Sequence, residues 1–302
     1  MPGPPGVFCK VVNGSVNKGN TMSTIREVIR PVSPEEAVRA YAGSSGTVLY
    51  ISGGTILVHA GAEIDTAVDL CAIGARGVST EPDGTVVIGA CTPIADLARS
   101  GEAEAVAGGI LSRAAGRVAN HTIRNLATVG GNLVAWHFPT DMPPVLLALD
   151  AILRVQTSEG AKDVALDAFY TRRREVFRRG DLIIDVRVPP SSRLMGVFHK
   201  VGRKRLDVAI ASAAAIVGEL EGGMPDVRLA LGGLGVAPLR ARDAEAYLVE
   251  NGLDAVTVRR AAGIAVDVAG PRGDRRATAD YRHAAAVAAA VRALTEAAGL
   301  EG

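Results

Sequence analysis

Cysteine, aromatic residues and net charge are all scarce in this chain of 302 residues, and each scarcity closes off a class of function. The three cysteines, Cys9, Cys71 and Cys91, stand far apart, with no CxxC spacing and no histidine cluster beside them. A zinc centre or an iron–sulfur cluster takes about four ligands, so this chain builds neither by itself. The odd, sparse count suits a reducing cytoplasm, the expected location. A formal net charge of +1 gives no general attraction to nucleic acid or to anionic lipid. No stretch reaches the ~18 uninterrupted apolar residues of a membrane span: 206–217 contains Asp207, and 284–291 is short and alanine-rich. The N-terminus lacks the long apolar core of a signal peptide. There is no GxxxxGK[ST] phosphate loop and no GxSxG nucleophile elbow. Aromatic residues are 4% of the chain, so its core has to be built from Ala, Val, Leu and Ile.

What the chain does have is glycine in pairs. Thr47-Val48-Leu49-Tyr50-Ile51 reads as a strand, and Ser52-Gly53-Gly54-Thr55 follows it. In Arg124-Asn125-Leu126-Ala127-Thr128-Val129-Gly130-Gly131-Asn132 a β-prone run ends at Val129 and a second glycine pair follows, with the Asn132 amide able to donate or accept. Adjacent glycines allow positive φ and let a ligand approach the backbone closely. Successive backbone N–H groups in such a turn form an anion-binding concavity. Two loops of this kind facing one another have the means to hold both phosphates of a dinucleotide.

Length alone, at roughly 150 residues per domain, suggests about two domains. Residues 1–21 open Met-Pro-Gly-Pro-Pro-Gly and stay rich in Gly and Asn, so they read as a disordered extension, with Met22 an alternative start. Ser33 and Pro34 predict a helix start, with Glu36 completing a capping box, and Gly43 to Gly46 a stop. A short helix is expected over 57–62 and a strand over 67–70. A hairpin should turn at Pro82-Asp83-Gly84. Helices follow from Thr92, as cap, and over 111–119. Asp141 is placed to cap a helix whose first turn holds Pro143 and Pro144. Strands are expected at 152–157, 164–166, 182–188, 196–201 and 227–231, and 208–217 fits either a strand or a buried helix. The last third is helical, over 243–248, 256–267 and 281–298. Pro189 to Arg193 marks the preferred domain boundary, giving domains at 22–190 and 191–302.

Other candidates carry less chemistry. Gly232-Gly233-Leu234-Gly235 lacks GxGxxG spacing and reads as a structural turn. Arg172-Arg173-Arg174 with Arg178-Arg179 is either a docking patch or a solvated turn, and the second reading is the commoner. His121 and His137 flank the central motif without forming a catalytic pair by spacing. Lys200 sits in a strand context where a lone cation has the means to face a ligand.

The run Ile123 to Asn132, together with Thr140-Asp141-Met142-Pro143-Pro144-Val145-Leu146-Leu147-Ala148-Leu149-Asp150, resembles the FAD-binding (medium) subunit of molybdenum hydroxylases, the family of carbon monoxide dehydrogenase, xanthine dehydrogenase and aldehyde oxidase. Ser52-Gly53-Gly54-Thr55 looks like its first flavin loop. Leu229 to Gly235, Pro238-Leu239-Arg240-Ala241 and Asp280-Tyr281-Arg282 look like its C-terminal domain. The resemblance runs from about residue 25 to the end and implies an α+β fold: a two-lobed FAD-binding domain of the PCMH type, as in the carbon monoxide dehydrogenase flavoprotein, then a domain with a small sheet and helices. It implies FAD held by Ile51, Ser52, Gly53, Gly54, Thr55, Ile56 and Leu57 and by Thr128, Val129, Gly130, Gly131 and Asn132. By the same resemblance Asp141 contacts the ribityl chain, Ile183 lies near the adenine and Lys200 lies beside the flavin ring. It assigns no catalytic residue and no metal ligand to this chain. Molybdopterin is expected on a large partner subunit and [2Fe–2S] clusters on a small one, from which electrons pass to FAD and on to an acceptor. Two departures stand out: Ile56 replaces a commonly acidic or polar residue, and Trp136-His137-Phe138 is bulkier than usual. They motivate the alternative of a flavin- or nucleotide-binding scaffold without electron transfer.

Overall fold

Three sheets with helices laid against them are formed by the residues that the computed structural model describes, 23–57, 62–135, 139–191, 193–219 and 225–300. The expectations for residues 1–21, for Met22 and for Trp136-His137-Phe138, and most of the short helix expected over 57–62, lie outside them.

The first lobe runs β1 (Thr24–Ile29), α1 (Pro34–Gly43), β2 (Val48–Ile51) and β3 (Glu63–Asp69), with the strands parallel in the order β1-β3-β2. The edge strand β1 escaped the sequence reading because most of it is exposed and it carries Arg26 and Glu27 in its middle. At the start of α1 the Ser33 hydroxyl accepts the N–H of Glu36 at 3.2 Å. The Glu36 carboxylate reaches back to the N–H of Val32 at 2.8 Å, one residue before the position a capping box uses.

The second lobe begins with the hairpin β4 (Val78–Thr80) and β5 (Val86–Gly89), whose turn carries Gly84 at φ +88. Among the described residues six α-helices follow: α2 (Ile94–Leu97), α3 (Gly101–Glu104), α4 (Ile110–Gly116), α5 (His121–Leu126), α6 (Val129–Leu133) and α7 (Met142–Ala148). The chain returns through β6 (Ile152–Thr157), β7 (Gly160–Ala165), α8 (Leu166–Thr171), α9 (Arg173–Val176) and β8 (Leu182–Val188). The five strands are antiparallel in the order β4-β5-β8-β6-β7.

Three expectations are corrected here. The run before the second glycine pair is helix α5 and a single bridge residue, Thr128 opposite Pro93, rather than a strand. Asn120 caps α5 by accepting the N–H of Ile123 at 2.9 Å, and Arg124 holds the carbonyls of Val118 and Ala119, so local capping overrides β-propensity. Thr92 does not cap α2. Its fully buried hydroxyl instead closes both backbone groups of Gly77. Asp141 does not cap α7 by its side chain; Asn132 does, its Oδ1 accepting the N–H of Met142 at 3.2 Å.

The last part is an antiparallel sheet of β9 (Leu194–Val201), β10 (Ala211–Glu219), β11 (Pro225–Gly232) and β12 (Leu239–Arg240), followed by α10 (Arg242–Asn251), α11 (Ala255–Ala269) and α12 (Ala279–Ala297). The open choice over 208–217 resolves as a strand from Ala211 onward. Alternate residues of this sheet face opposite ways. Phe198, Ala214, Ile216 and Ala230 join the core shared with α4 and α7, while Val197, Ala213, Ala215, Leu229 and Leu231 pack under α11 and α12. Burial on both faces explains why the middle of β10, Ala213-Ala214-Ala215-Ile216-Val217, is apolar without polar alternation. The buried Arg282 donates to the carbonyls of Ile210 and Gly233, tying α12 to the turn after β11, where Gly233 adopts φ +79.

Candidate functional site

The loop that carries the first glycine pair meets the segment that leads into the second. A side-chain carbon on Gly53 would run into the carbonyl oxygen of Leu126 and lie 2.9 Å from the Ala127 Cα, so the loop after β2 rests directly on the backbone that leads into the second pair. Gly54 takes φ +62, the left-handed turn the sequence anticipates. Gly130 is fixed from the other side: its N–H donates to the Ala90 carbonyl at 2.8 Å, and a Cβ there would sit 2.9 Å from that of Ala90.

The anion-binding concavity expected at the second pair is absent. Thr128 to Asn132 turn into α6 instead of an open nest, and the first donors of that helix are already used. The N–H of Val129 bonds the Thr92 carbonyl at 3.0 Å, that of Gly130 bonds Ala90, and that of Gly131 bonds the Thr128 hydroxyl at 3.2 Å. Hydrogen bonds to neighbouring backbone have satisfied the groups that a helix start leaves open.

Beside this junction lies a cleft of about 880 Å³, inside the ~300–1,000 Å³ range of small-molecule sites. Of the residues singled out from the sequence, Ser52, Thr128, Gly130, Gly131 and Ile183 line it. The Cys91 thiol, also in the lining, donates to the Leu70 carbonyl at 3.7 Å, and burial pushes its pKa up. Tyr41 and Tyr50, with ring centroids 4.8 Å apart, also line it and were not anticipated. The Tyr50 hydroxyl donates to the Gly180 carbonyl at 2.6 Å, and burial pushes its pKa far up, so it stays a protonated donor. Arg173, Arg174, Arg178 and Arg179, from the basic run weighed as a solvated turn, stand along the same cleft, whereas Arg172 does not line it. The signal was present as charge. Its placement depends on the turn from α8 to β8 lying against β2, more than a hundred residues earlier.

Other expected residues do not line the cleft. Ile51, Leu57 and Val129 are core side chains, while Thr55 is half-buried and Ile56 is 41% exposed. Asn132 spends its Oδ1 on α7 and its carbonyl on the Thr140 hydroxyl. Asp141 and Lys200 form a separate buried pair: the ammonium donates to Asp141 Oδ2 at 2.7 Å and to the Arg117 carbonyl at 3.0 Å. Burial pushes the Asp141 pKa up, and the charges of Lys200 and Arg117 oppose it. Asp141 Oδ1 is buried with no hydrogen-bond partner among the described residues. Those residues contain no group of three or more His, Cys, Asp or Glu able to hold a metal ion, and no helix long and apolar enough to cross a membrane.

Comparison with known proteins matches residues 21–191 to the FAD binding domain in molybdopterin dehydrogenase and residues 196–297 to the CO dehydrogenase flavoprotein C-terminal domain. The chain is 30% identical over 257 residues to the 6-hydroxypseudooxynicotine dehydrogenase complex subunit alpha of Paenarthrobacter nicotinovorans, covering 83% of this chain and 86% of that one. It is 29% identical over 224 residues to the carbon monoxide dehydrogenase medium chain of Hydrogenophaga pseudoflava, covering 74% and 77%. Among solved structures, a chain of Hydrogenophaga pseudoflava carbon monoxide dehydrogenase that lacks the Mo-pyranopterin moiety superimposes with TM-score 0.83 at 28% identity, over 91% of this chain and 98% of that one.

Proposed function

Since the chain belongs to the family of FAD-binding domains of molybdopterin dehydrogenases, we propose that it is the flavoprotein subunit of a molybdenum-dependent hydroxylase. It takes electrons from a [2Fe–2S] subunit and passes them to an acceptor, while a molybdopterin subunit oxidises the substrate. The observation that carries this reading is that the loop after β2, through Ser52, and the start of α6, through Thr128, Gly130 and Gly131, line one cleft of dinucleotide size, while Gly53 and Gly54 lie outside its lining.

The residues present fit FAD. Gly53 removes a side chain where the two loops touch, and Ser52 and Thr128 bring hydroxyl residues to the cleft lining. The Thr128 oxygen already accepts the Gly131 N–H, so its own proton is free to be donated to a phosphate oxygen. Tyr41 and Tyr50 offer an apolar aromatic wall, and Ile183 an aliphatic one for a flat ring such as adenine. Asp141, to which the family resemblance gives a hydroxyl of the ribityl chain, is held by Lys200 apart from the cleft lining, with Oδ1 unpartnered among the described residues. When bound, FAD supplies an electron carrier between one-electron clusters and the acceptor. The chain's own residues bind and orient that carrier.

Gly131→Asp tests the placement. An acidic residue suits the first turn of a helix, and the added Cβ meets only the Thr128 hydroxyl at 3.0 Å, so the fold should persist. The new carboxylate would face the pyrophosphate. The wild-type chain should purify with, or take up, FAD identified by its visible spectrum and by mass. The variant, checked by circular dichroism, should not. A folded variant that stays yellow removes the cofactor from this cleft.

A further inference from the structure

We propose that Arg173, Arg174, Arg178 and Arg179, on the α9 and β8 side of the cleft, supply the positive charge that meets the cofactor's pyrophosphate. The assignment rests on the flavin reading above and goes beyond the two glycine loops. A pyrophosphate brings about two negative charges into the site, and the α6 donors that would ordinarily meet them are engaged with Thr92, Ala90 and Thr128. Something else lining the cleft has to balance the charge.

Four arginines line the cleft against a single carboxylate, in a chain whose overall charge is only +1. That carboxylate, Asp181, is buried and already accepts the backbone N–H of Arg178 at 2.9 Å, with Lys162 at 3.5 Å. Two of the arginines are held in place. The Arg173 guanidinium lies over the Phe169 and Phe177 rings at 5.2 and 5.5 Å. Arg179 reaches across to the first lobe, donating to the Tyr41 hydroxyl at 3.2 Å and the Gly46 carbonyl at 3.4 Å. The other two keep their charge available. Arg174 has no carboxylate within ion-pair distance among the described residues, and the Glu159 partner of Arg178 lies 3.9 Å away with both side chains exposed. A guanidinium presents paired donors in a plane that matches phosphate oxygens, which suits this task better than a point charge.

The test is a titration of the full-length chain with FAD and with riboflavin, which has the flavin ring but no phosphate, at several salt concentrations. Arg174→Gln with Arg178→Gln should raise the Kd for FAD about tenfold or more, flatten its salt dependence and leave riboflavin binding unchanged. Arg174→Lys with Arg178→Lys should restore much of the FAD affinity. An unchanged Kd and salt dependence for FAD in the glutamine variant overturns the arginine assignment. So does an equal loss of FAD and riboflavin. Unchanged FAD binding with loss of co-purifying subunits would make the arginines a docking surface and overturns it as well. A wild-type chain that takes up no FAD overturns the flavin reading itself.

Discussion

Gly53-Gly54 and Gly130-Gly131 look interchangeable on paper and are held in the fold by different forces. In the first pair, Gly53 is required by the backbone of Leu126 and Ala127, and Gly54 by a left-handed φ. In the second, both residues are helical. Gly130 is confined by Ala90, and Gly131 meets only its own cap, Thr128. A repeated dipeptide therefore signals a crowded backbone, but not which crowding. The nest geometry that makes adjacent glycines an anion site does not form when a helix starts on them and its donors are spent.

A substitution series sharpens that contrast. Gly53→Ala should cost most, about 3 kcal/mol, because rigid backbone rather than a movable side chain stands in the way; it would lower the urea midpoint and loosen the junction between the lobes. Gly130→Ala should cost about 2 kcal/mol, since Ala90 has to move and the hydrogen bond to its carbonyl is strained. For Gly54→Ala about 1 kcal/mol is expected, the cost of placing an L-residue at φ +62. Gly131→Ala should change stability by less than about 0.5 kcal/mol, the helical gain over glycine being offset by displacement of the Thr128 hydroxyl. Equal losses at Gly53 and Gly131 would erase the distinction drawn between the pairs. Thermal and urea unfolding of the four single variants decide it.

The same contrast shows what was legible in the chain. β2 and its loop were readable because a hydrophobic run, a hydroxyl and two glycines are all local signals. β8 and the three long helices at the end were readable for the same reason. The bridge at Thr128 was misread as a strand because Thr and Val favour β structure, while the Asn120 cap and the Arg124 carbonyl contacts that make α5 a helix draw on residues outside the motif. Asp141 looked like a cap because it precedes Pro143 and Pro144. Asn132 reaches the Met142 N–H instead, freeing Asp141 for Lys200. The arginine run was visible as charge and invisible as a cleft wall.

The amino-acid sequence on its own determined the family, the positions of most strands and helices, and the two loops that come together. Those follow from hydrophobic periodicity, helix-start chemistry and motif residues that act over a few neighbours. Tertiary structure alone decided which N–H groups remained open, which acid paired with which base and which charges faced the cleft. A hydrogen bond or an ion pair goes to whichever partner the fold brings within reach. For Gly130 that partner is Ala90, for Asp141 it is Lys200, and for Arg179 it is Tyr41, each set by distance in space rather than along the chain.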